Sequence, residues 1–162
     1  MQRTITAEEL QTLEATLHRE IPLTRAMGIR VMRVDAAGLT LAAPLAANLN
    51  HKRTAFGGSL AALATLAGWG LLQLLLHDHA PATVVIRESD VRYLRPVTRD
   101  IEATCSLPPP AELQRFLRMF ARRGMARIEL RASVPTDGAE AVQFRGVYVA
   151  LDKIRHPQVE PV

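Results

Sequence analysis

Apolar residues recur along this chain with two different periods, and each change of period predicts the end of an element. Near the N-terminus, leucines recur at helical spacing behind Thr6 and Glu9, which have the spacing of a capping box. This pattern predicts a helix from about Ala7 to Glu20, and Pro22 ends it because proline cannot continue a helix.

Alternating apolar and polar positions predict strands in much of the remaining chain. The predicted strands run from Ile29 to Asp35, Leu39 to Leu45, Thr83 to Leu94, Ile101 to Leu107, Ile128 to Val134 and Val142 to Leu151. Asp137-Gly138 predicts a hairpin turn before the last strand. The apolar phase of that strand slips after Phe144, which predicts a bulge at Gly146. A short helix with an arginine face is predicted after the prolines at 108–110.

A run without charged residues ends at Leu76 and predicts a long apolar helix from about Gly57 to that residue. Its length fits a membrane span. However, Ser59, Thr65 and Gln73 interrupt it, and a helix that is apolar all round can equally be buried in a protein core. Because predicted strands flank the run, we expect an antiparallel sheet to curl around it, and we expect no membrane association.

Composition narrows the possible classes of protein. The chain has 162 residues, of which 48% are hydrophobic and 22% charged, so we expect one folded domain over residues 1–162. A net charge of +4 favours acidic partners, but aromatic residues make up only 4%, which argues against base stacking and nucleic-acid binding. The single cysteine, Cys105, excludes an internal disulfide, and the first residues lack an apolar signal segment. We therefore expect a cytoplasmic protein.

The candidate chemistry lies where a polar loop meets the long helix. Asn48 and Asn50 precede Gly57-Gly58-Ser59, so side-chain amides stand beside bare backbone N–H groups at the positive end of a helix dipole. This arrangement suits the stabilisation of negative charge on an oxygen, and so thioester chemistry. A purely structural interpretation is also open, because asparagine commonly builds turns and paired glycines permit close packing.

Four segments together resemble one family of the hotdog superfamily. They are Asn48-Leu49-Asn50, residues 54–59, residues 66–70 and residues 91–97, and the resemblance covers roughly residues 20–152. The family was first described as putative thioesterases, and its members are now read as malonyl-acyl-carrier-protein decarboxylases. The resemblance implies an α+β hotdog fold, in which a curved antiparallel sheet wraps a long central helix. It also implies a homodimer or dimer of dimers with active sites at the subunit interface.

One residue of the central helix separates this chain from the hydrolytic hotdog pattern. Many hotdog thioesterases carry a carboxylate about two turns after the paired glycines, whereas this chain has Thr65, and no Asp or Glu occurs between Asp35 and Asp78. Hydrolysis needs a group that activates water. Decarboxylation of a malonyl thioester needs hydrogen bonds to the enolate oxygen and no base. The hypothesis is therefore conversion of a malonyl-carrier to an acetyl-carrier, which supports the initiation of fatty acid synthesis.

The resemblance also implies roles for individual residues. Asn50 is the expected catalytic donor, with backbone N–H groups of Gly58 and Ser59. Substrate binding is expected at Asn48, Thr54, Phe56, Gly57, Thr65, Arg92 and Arg95. No cofactor and no metal is expected. The expected partner is an acidic acyl carrier protein or a CoA thioester, and the arginines at 115, 118, 122 and 123 either dock the carrier or form a solvated face.

Other interpretations remain open at this stage. A thioesterase would need a carboxylate such as Glu88 or Asp90 from a partner subunit, and a non-catalytic module would bind acyl thioesters without turnover. Ser59 lacks the last glycine of a nucleophile elbow. The sequence His77-Asp78-His79 is more typical of a solvated helix end than of a metal site, since adjacent side chains diverge. Trp69 is expected in the core or at an interface.

Overall fold

The computed structural model describes residues 5–157, so the predicted domain of residues 1–162 extends beyond the described part at both ends. The helices are α1 (Ala7–Glu20), α2 (Leu23–Ala26), α3 (Gly57–Leu75) and α4 (Pro110–Arg123). The strands are β1 (Arg30–Asp35), β2 (Gly38–Ala43), β3 (Ala82–Tyr93), β4 (Ile101–Ser106), β5 (Met125–Thr136) and β6 (Ala139–Asp152). A short 3₁₀ turn, Leu45–Ala47, replaces the end of the second predicted strand.

Helix α1 has the predicted bounds because its signals are local. The Thr6 side chain accepts a hydrogen bond from the backbone N–H of Glu9, and the Glu9 carboxylate accepts one from the backbone N–H of Thr6 at 2.8 Å. The predicted capping box is therefore confirmed. Leu13 and Leu17 are buried and fix this helix to the rest of the core.

The six strands form one antiparallel sheet in the order β1-β2-β4-β5-β6-β3, and α3 packs on its inner face against β2, β3, β4, β5 and β6. Inner-face residues of β5 and β6 alternate with exposed or half-buried ones, as expected when one face of a sheet covers a core. This is the predicted hotdog arrangement, with α1 as the additional N-terminal helix.

Helix α3 is the core of the molecule. It is long and apolar enough to cross a membrane by composition, but 56% of its most apolar window is buried inside the fold. The sheet approaches it closely at Gly68, where a Cβ atom would lie 2.3 Å from the Tyr148 hydroxyl oxygen. That hydroxyl donates a hydrogen bond of 2.7 Å to the carbonyl oxygen of Thr65. Burial raises the pKa of Tyr148, so the phenol stays protonated and remains a donor.

The predicted bulge at Gly146 is wrong. Gly146 pairs with Leu130 on one side and Ser89 on the other without a shift of register. The apolar residues that suggested a slip, Val147 and Val149, lie on the outer face, where they are only half-buried. These valines belong to an apolar patch on the outer face of the sheet. In that patch Val149 lies opposite Val85 of β3.

The edge of the sheet at β1 is closed by α1. Glu14 accepts a hydrogen bond of 2.7 Å from the backbone N–H of Val31, and the His18 ring nitrogen Nε2 lies 2.8 Å from the carbonyl oxygen of Ile29. Both contacts occupy backbone groups that would otherwise offer a template for a further strand.

Candidate active site

The loop before α3 is built around the side chain of Asn50. Its Oδ1 accepts hydrogen bonds from the backbone N–H groups of Lys52 (2.8 Å) and Thr54 (3.1 Å). Its Nδ2 donates to Thr54 Oγ1 at 2.8 Å and, less closely, to the carbonyl oxygen of Ala55 at 3.3 Å. A primary amide has two donor hydrogens and two acceptor lone pairs, so Asn50 uses its full capacity inside the loop. The tip of the loop turns sharply at Arg53, which has φ +61°.

Asn48 is buried and anchors the loop to the body of the protein. Only 2% of its surface is exposed. Its Nδ2 donates to the carbonyl oxygens of Met27 (2.9 Å) and Pro44 (2.8 Å), and its backbone carbonyl oxygen accepts from the backbone N–H of Phe56 at 2.7 Å. Asn48 therefore sets where α3 begins, and its side chain is positioned behind the loop.

The start of α3 offers free hydrogen-bond donors. No side chain caps this helix, and its first backbone bond runs from Leu60 to Phe56. The N–H groups of Gly57, Gly58 and Ser59 therefore have no partner within the helix. The Phe56 ring is 54% exposed and lies beside Gly58, where a Cβ atom would come within 2.3 Å of the ring. Gly57, Gly58, Ser59 and Phe56 therefore lie together at the start of α3.

A second wall of the site comes from the segment after β3. The Tyr93 hydroxyl donates to the carbonyl oxygen of Gly57 at 3.0 Å, and the backbone N–H of Ala55 donates to Val97 at 2.8 Å. These two bonds hold residues 93–97 alongside the loop. Arg95 lies between them, is exposed and makes no ion pair with any described residue. The sequence analysis missed Tyr93 as a site residue, although it lies in the motif that resembles the hotdog family.

Arg92 does not join this group. Val91 lies opposite the buried Phe144 on the inner face of the sheet. Its neighbour Arg92, opposite Gln143, therefore lies on the outer face, because successive side chains alternate along a strand. The structure separates Arg92 from the start of α3 by the thickness of the sheet.

The two candidate carboxylates of β3 also lie on the outer face. Glu88 forms an ion pair with Arg145, and Asp90 lies directly opposite that same residue. A bulge between Ile86 and Glu88 sets this phase, since it adds one residue to β3 and inverts the alternation after it. Neither carboxylate faces the start of α3 of its own subunit.

Thr65 lies on the one side of α3 that the sheet leaves open. It is half-buried, as are Ala62, Trp69 and Gln73, which share its helical face. Trp69 donates a hydrogen bond of 3.1 Å to the carbonyl oxygen of Val84. This open stripe, defined by Ala62, Thr65, Trp69 and Gln73, continues from the first turn of the helix.

The charges around the site are positive. His51, Lys52 and Arg53 form the exposed tip of the loop, and Arg95 lies on the other wall. No ion pair occupies Lys52 or Arg53 within residues 5–157. The free N–H groups therefore face a region whose local charge attracts anions.

The described part of the chain contains no group of three His, Cys, Asp or Glu residues that could hold a metal ion. At the end of α3, His77 lies 3.8 Å from a carboxylate oxygen of Glu9, and the ring of His79 packs edge-on against Phe120. These two histidines therefore have separate protein contacts.

Residues 10–152 match the model of a family described as "Putative thioesterase (yiiD_Cterm)". The chain belongs to this family. Among similar solved structures is one described as a putative thioesterase from Shewanella oneidensis, with 31% identity, a TM-score of 0.81, and coverage of 90% of this chain and 99% of that one. A protein of unknown function from Chlorobaculum tepidum has 34% identity, a TM-score of 0.84, and coverage of 88% and 93%.

A more distant structure confirms the fold alone. A thioesterase from Haemophilus influenzae has 17% identity and a TM-score of 0.67, with coverage of 95% of this chain and 96% of that one. This YiiD_C family member is therefore a thioesterase-like protein of the hotdog superfamily. Its central helix α3 contains no Asp or Glu.

Proposed function

We propose that this protein decarboxylates a malonyl thioester, carried by an acyl carrier protein or by CoA, to the acetyl thioester. The observation that supports this reaction best is the uncapped start of α3: three free N–H groups lie among cationic residues, with no carboxylate from the loop or from the facing side of β3. We propose a cytoplasmic role in the initiation of fatty acid synthesis.

The reaction requires little from the protein beyond hydrogen bonds. The bond between Cα and the malonyl carboxylate breaks, CO₂ leaves, and the electron pair moves through Cα into the thioester carbonyl. The resulting enolate carries its negative charge on the carbonyl oxygen, which the N–H groups of Gly58 and Ser59 stabilise. The helix holds these donors in the required orientation before the charge forms, so they need not reorganise during the reaction. A proton from water then converts the enolate to the acetyl thioester.

In the proposal, Asn50 also donates a hydrogen bond to the substrate. Its Nδ2 already makes two hydrogen bonds in the loop, and these differ in length. Its Nδ2 lies 2.8 Å from Thr54 Oγ1 but 3.3 Å from the carbonyl oxygen of Ala55. In the proposal the hydrogen of the longer bond is shared between the carbonyl oxygen of Ala55 and the substrate oxygen as a three-centre hydrogen bond, while Oδ1 and the other hydrogen continue to hold the loop. Arg95 and the cationic loop tip bind the phosphate of the pantetheine arm, and Phe56 and Thr65 contact the acyl part.

Variants at positions 50 and 54 separate donation from loop support. We expect Asn50→Ala to lower kcat for a malonyl thioester by about 10²–10³, the usual loss for one oxyanion donor. Thr54→Ala also removes a loop hydrogen bond but retains the amide, so we expect it to reduce kcat by less than about tenfold. Circular dichroism and thermal unfolding check that both variants fold. Equal losses in the two variants would assign Asn50 to loop structure alone.

Hydrolysis is the second candidate, because the family and several of its structural relatives are described as thioesterases. In the proposal decarboxylation is preferred because Glu88 and Asp90 lie on the outer face of β3, so hydrolysis would need a carboxylate supplied by a partner subunit. Mass spectrometry of malonyl-carrier after incubation separates the candidates. Decarboxylation leaves a carrier that is lighter by one CO₂, hydrolysis releases free thiol carrier and malonate, and a non-catalytic module leaves the malonyl-carrier unchanged.

The proposed partner is an acidic carrier protein, which docks on the arginines of α4. Phe116 and Phe120 are buried, whereas Arg115, Arg118 and Arg122 are exposed. Charge complementarity of this kind acts mainly on association and weakens with salt. KM for the malonyl-carrier should therefore rise steeply with salt, and KM for a small malonyl thioester should not. Equal salt dependence for both substrates would contradict docking on α4.

A further inference from the structure

A second cavity lies on the other side of the sheet from the proposed active site. It has a volume of about 750 Å³ and lies between the beginning of α4 and the outer face of β3, β5 and β6. Its walls include five arginines and three glutamates. No chemical step proposed above uses this cavity, and of the arginines proposed to dock the carrier only Arg115 lines it.

Two of the arginines are neutralised within the cavity. Arg145 forms ion pairs with Glu88 and, at 2.9 Å, with Glu129, and Arg131 binds Glu129 at 3.0 Å. The hydrogen bond from Arg145 is the main reason that the pKa of Glu129 lies below its usual value, so this carboxylate stays ionised. The positive charge of these two arginines is therefore balanced by protein.

The other three arginines, Arg87, Arg115 and Arg127, come from different elements and have no such balance. They lie in the bulge of β3, in α4 and in β5, and none makes an ion pair or a side-chain hydrogen bond with a described residue. The third glutamate of the cavity, Glu112, makes no ion pair with them. Guanidinium groups that converge without a carboxylate suit a phosphate or carboxylate ligand.

These same three arginines also line an adjoining apolar groove. The groove has a volume of about 380 Å³ and its apolar walls are Phe116, Met119, Met125, Ala126 and Val149. The two methionines are exposed by 37% and 49%, and none of the three glutamates lines the groove. Flexible methionine side chains adapt to apolar ligands of different shape. Arg123 is the one further charged residue that lines the groove.

We propose that this cavity and groove together bind an amphipathic anion, with a phosphate or carboxylate head at Arg87, Arg115 and Arg127 and an acyl tail along Met119, Met125 and Val149. The three arginines line both spaces, so the charged head and the apolar tail meet there. The cavity and groove are sized for one small ligand, and their charges match its two ends.

Binding is measured by isothermal titration calorimetry with decyl phosphate and with decanoate, both below their critical micelle concentrations. Inorganic phosphate serves as the head alone and decanol as the tail alone. We expect one decyl phosphate or decanoate per chain, and at least about tenfold weaker binding of either fragment. The affinities of decyl phosphate and decanoate, compared directly, show which head group is preferred. Equal affinity for inorganic phosphate and decyl phosphate would overturn the role of the groove.

Matched variants locate the ligand. Arg127→Gln and Arg115→Gln should each weaken decyl phosphate binding by about tenfold or more, whereas Arg131→Gln, whose charge Glu129 already balances, should change it by less than about threefold. Met125→Ser, which removes apolar surface without adding charge, should weaken decyl phosphate but not inorganic phosphate. Thermal unfolding checks that each variant folds. Unchanged binding in Arg127→Gln and Arg115→Gln, or loss of binding in Arg95→Gln at the start of α3, would overturn the proposal.

Discussion

At the scale of single residues, Gly68 allows a close contact between α3 and the sheet. A Cβ atom there would lie 2.3 Å from the Tyr148 hydroxyl oxygen and 2.5 Å from the ring carbon that bears it. Tyr148 is fully buried and hydrogen-bonded to Thr65, so it cannot move aside. Gly58, ten residues earlier in the same helix, would meet only the Phe56 ring, which is 54% exposed.

This difference predicts unequal effects of the same substitution. Gly68→Ala should destabilise the protein by about 1–3 kcal/mol, because overpacking forces Tyr148 and the strand that carries it to shift. Gly58→Ala should change the free energy of unfolding by less than about 0.5 kcal/mol, because the Phe56 ring can turn into solvent. Urea unfolding of both variants measures the difference. Similar losses at the two positions would contradict the contact at Tyr148.

The burial of Cys105 should make the free energy of unfolding depend on pH in the alkaline range. Its side chain is buried in the core, and burial raises the pKa of the thiol from 9.0 to about 12. The folded protein therefore keeps a proton that the unfolded chain loses above pH 9. The stabilising effect is complete below that pH and is lost as the pH rises towards 12, at about 1.4 kcal/mol per pH unit.

Cys105→Ala removes this titration. The free energy of unfolding of the natural chain should fall between pH 9 and 10, whereas that of the variant should stay level until the unfolded-state titration of Tyr148, whose usual pKa is 10.0. Urea unfolding at several pH values measures both curves. Parallel slopes for the two proteins between pH 9 and 10 would show that Cys105 does not cause the loss.

At the scale of elements, a helix side chain completes one edge of the sheet. Inside the sheet, β4 pairs with β5 only at residues 104–105, and α4 also packs against β5. At the β1 edge, the Glu14 carboxylate of α1 accepts a hydrogen bond from the backbone N–H of Val31. Helix α1 therefore covers backbone that a further strand would otherwise pair.

The Glu14 contact gives a test of this arrangement. Glu14→Ala should lower the free energy of unfolding by about 1–2 kcal/mol, because it leaves a half-buried N–H without its charged acceptor. Glu14→Gln retains a carbonyl oxygen of the same reach, so it should lose less than half as much. Chemical denaturation of the two variants measures the losses. A full loss in Glu14→Gln would mean that charge rather than the hydrogen bond matters there.

The local elements were predictable because their causes lie within a few residues. The capping box of α1 and the Asp137-Gly138 turn, where φ is +50° and +76°, follow from side chains next to the backbone they satisfy. The bulge in β3 had no such signal, and it decides which face Arg92 occupies.

The sequence likewise predicted some features of the candidate site and not others. Gly57 and Gly58 lie at the helix start because the change from polar loop to apolar run marks it. The internal bonds of Asn50 are local, since they join it to residues 52–55, and they are typical of asparagine in a turn. The contact of Tyr93 with Gly57 instead depends on how distant segments meet. Only tertiary packing fixes that contact, so spacing along the chain gave no sign of it.

At the scale of the whole molecule, the two edges of the sheet differ. β1 is closed by α1, whereas β3 is a 12-residue edge strand whose inner-face residues Ile86 and Tyr93 are 38% and 53% exposed. The open stripe of α3 lies beside the same strand, as the hydrogen bond from Trp69 to Val84 indicates. An exposed edge of this length beside uncovered helix suits pairing with a second copy, so we propose that the homodimer forms here.

A pair of matched variants tests the dimer. Ile86→Asp places a charge on the proposed interface and should shift the protein to monomers at micromolar concentration. Met32→Asp changes a residue of similar exposure (44%) on the closed β1 edge and should leave the dimer intact. Size-exclusion chromatography with light scattering measures both masses. Dimers of Ile86→Asp, or a monomeric natural chain, would contradict an interface at β3.

The missing cap of α3 has a consequence for how the protein recognises its substrate. A helix with a serine or aspartate cap is complete without a ligand, whereas α3 leaves its first N–H groups to solvent. An oxyanion at Gly58 and Ser59 thus completes the helix as a capping side chain would. In the proposed decarboxylation, the enolate would accept these bonds more strongly than a neutral carbonyl, so the helix would gain stability as the charge forms. The free energy that a cap would have given to the resting fold would then lower part of the barrier of the proposed reaction.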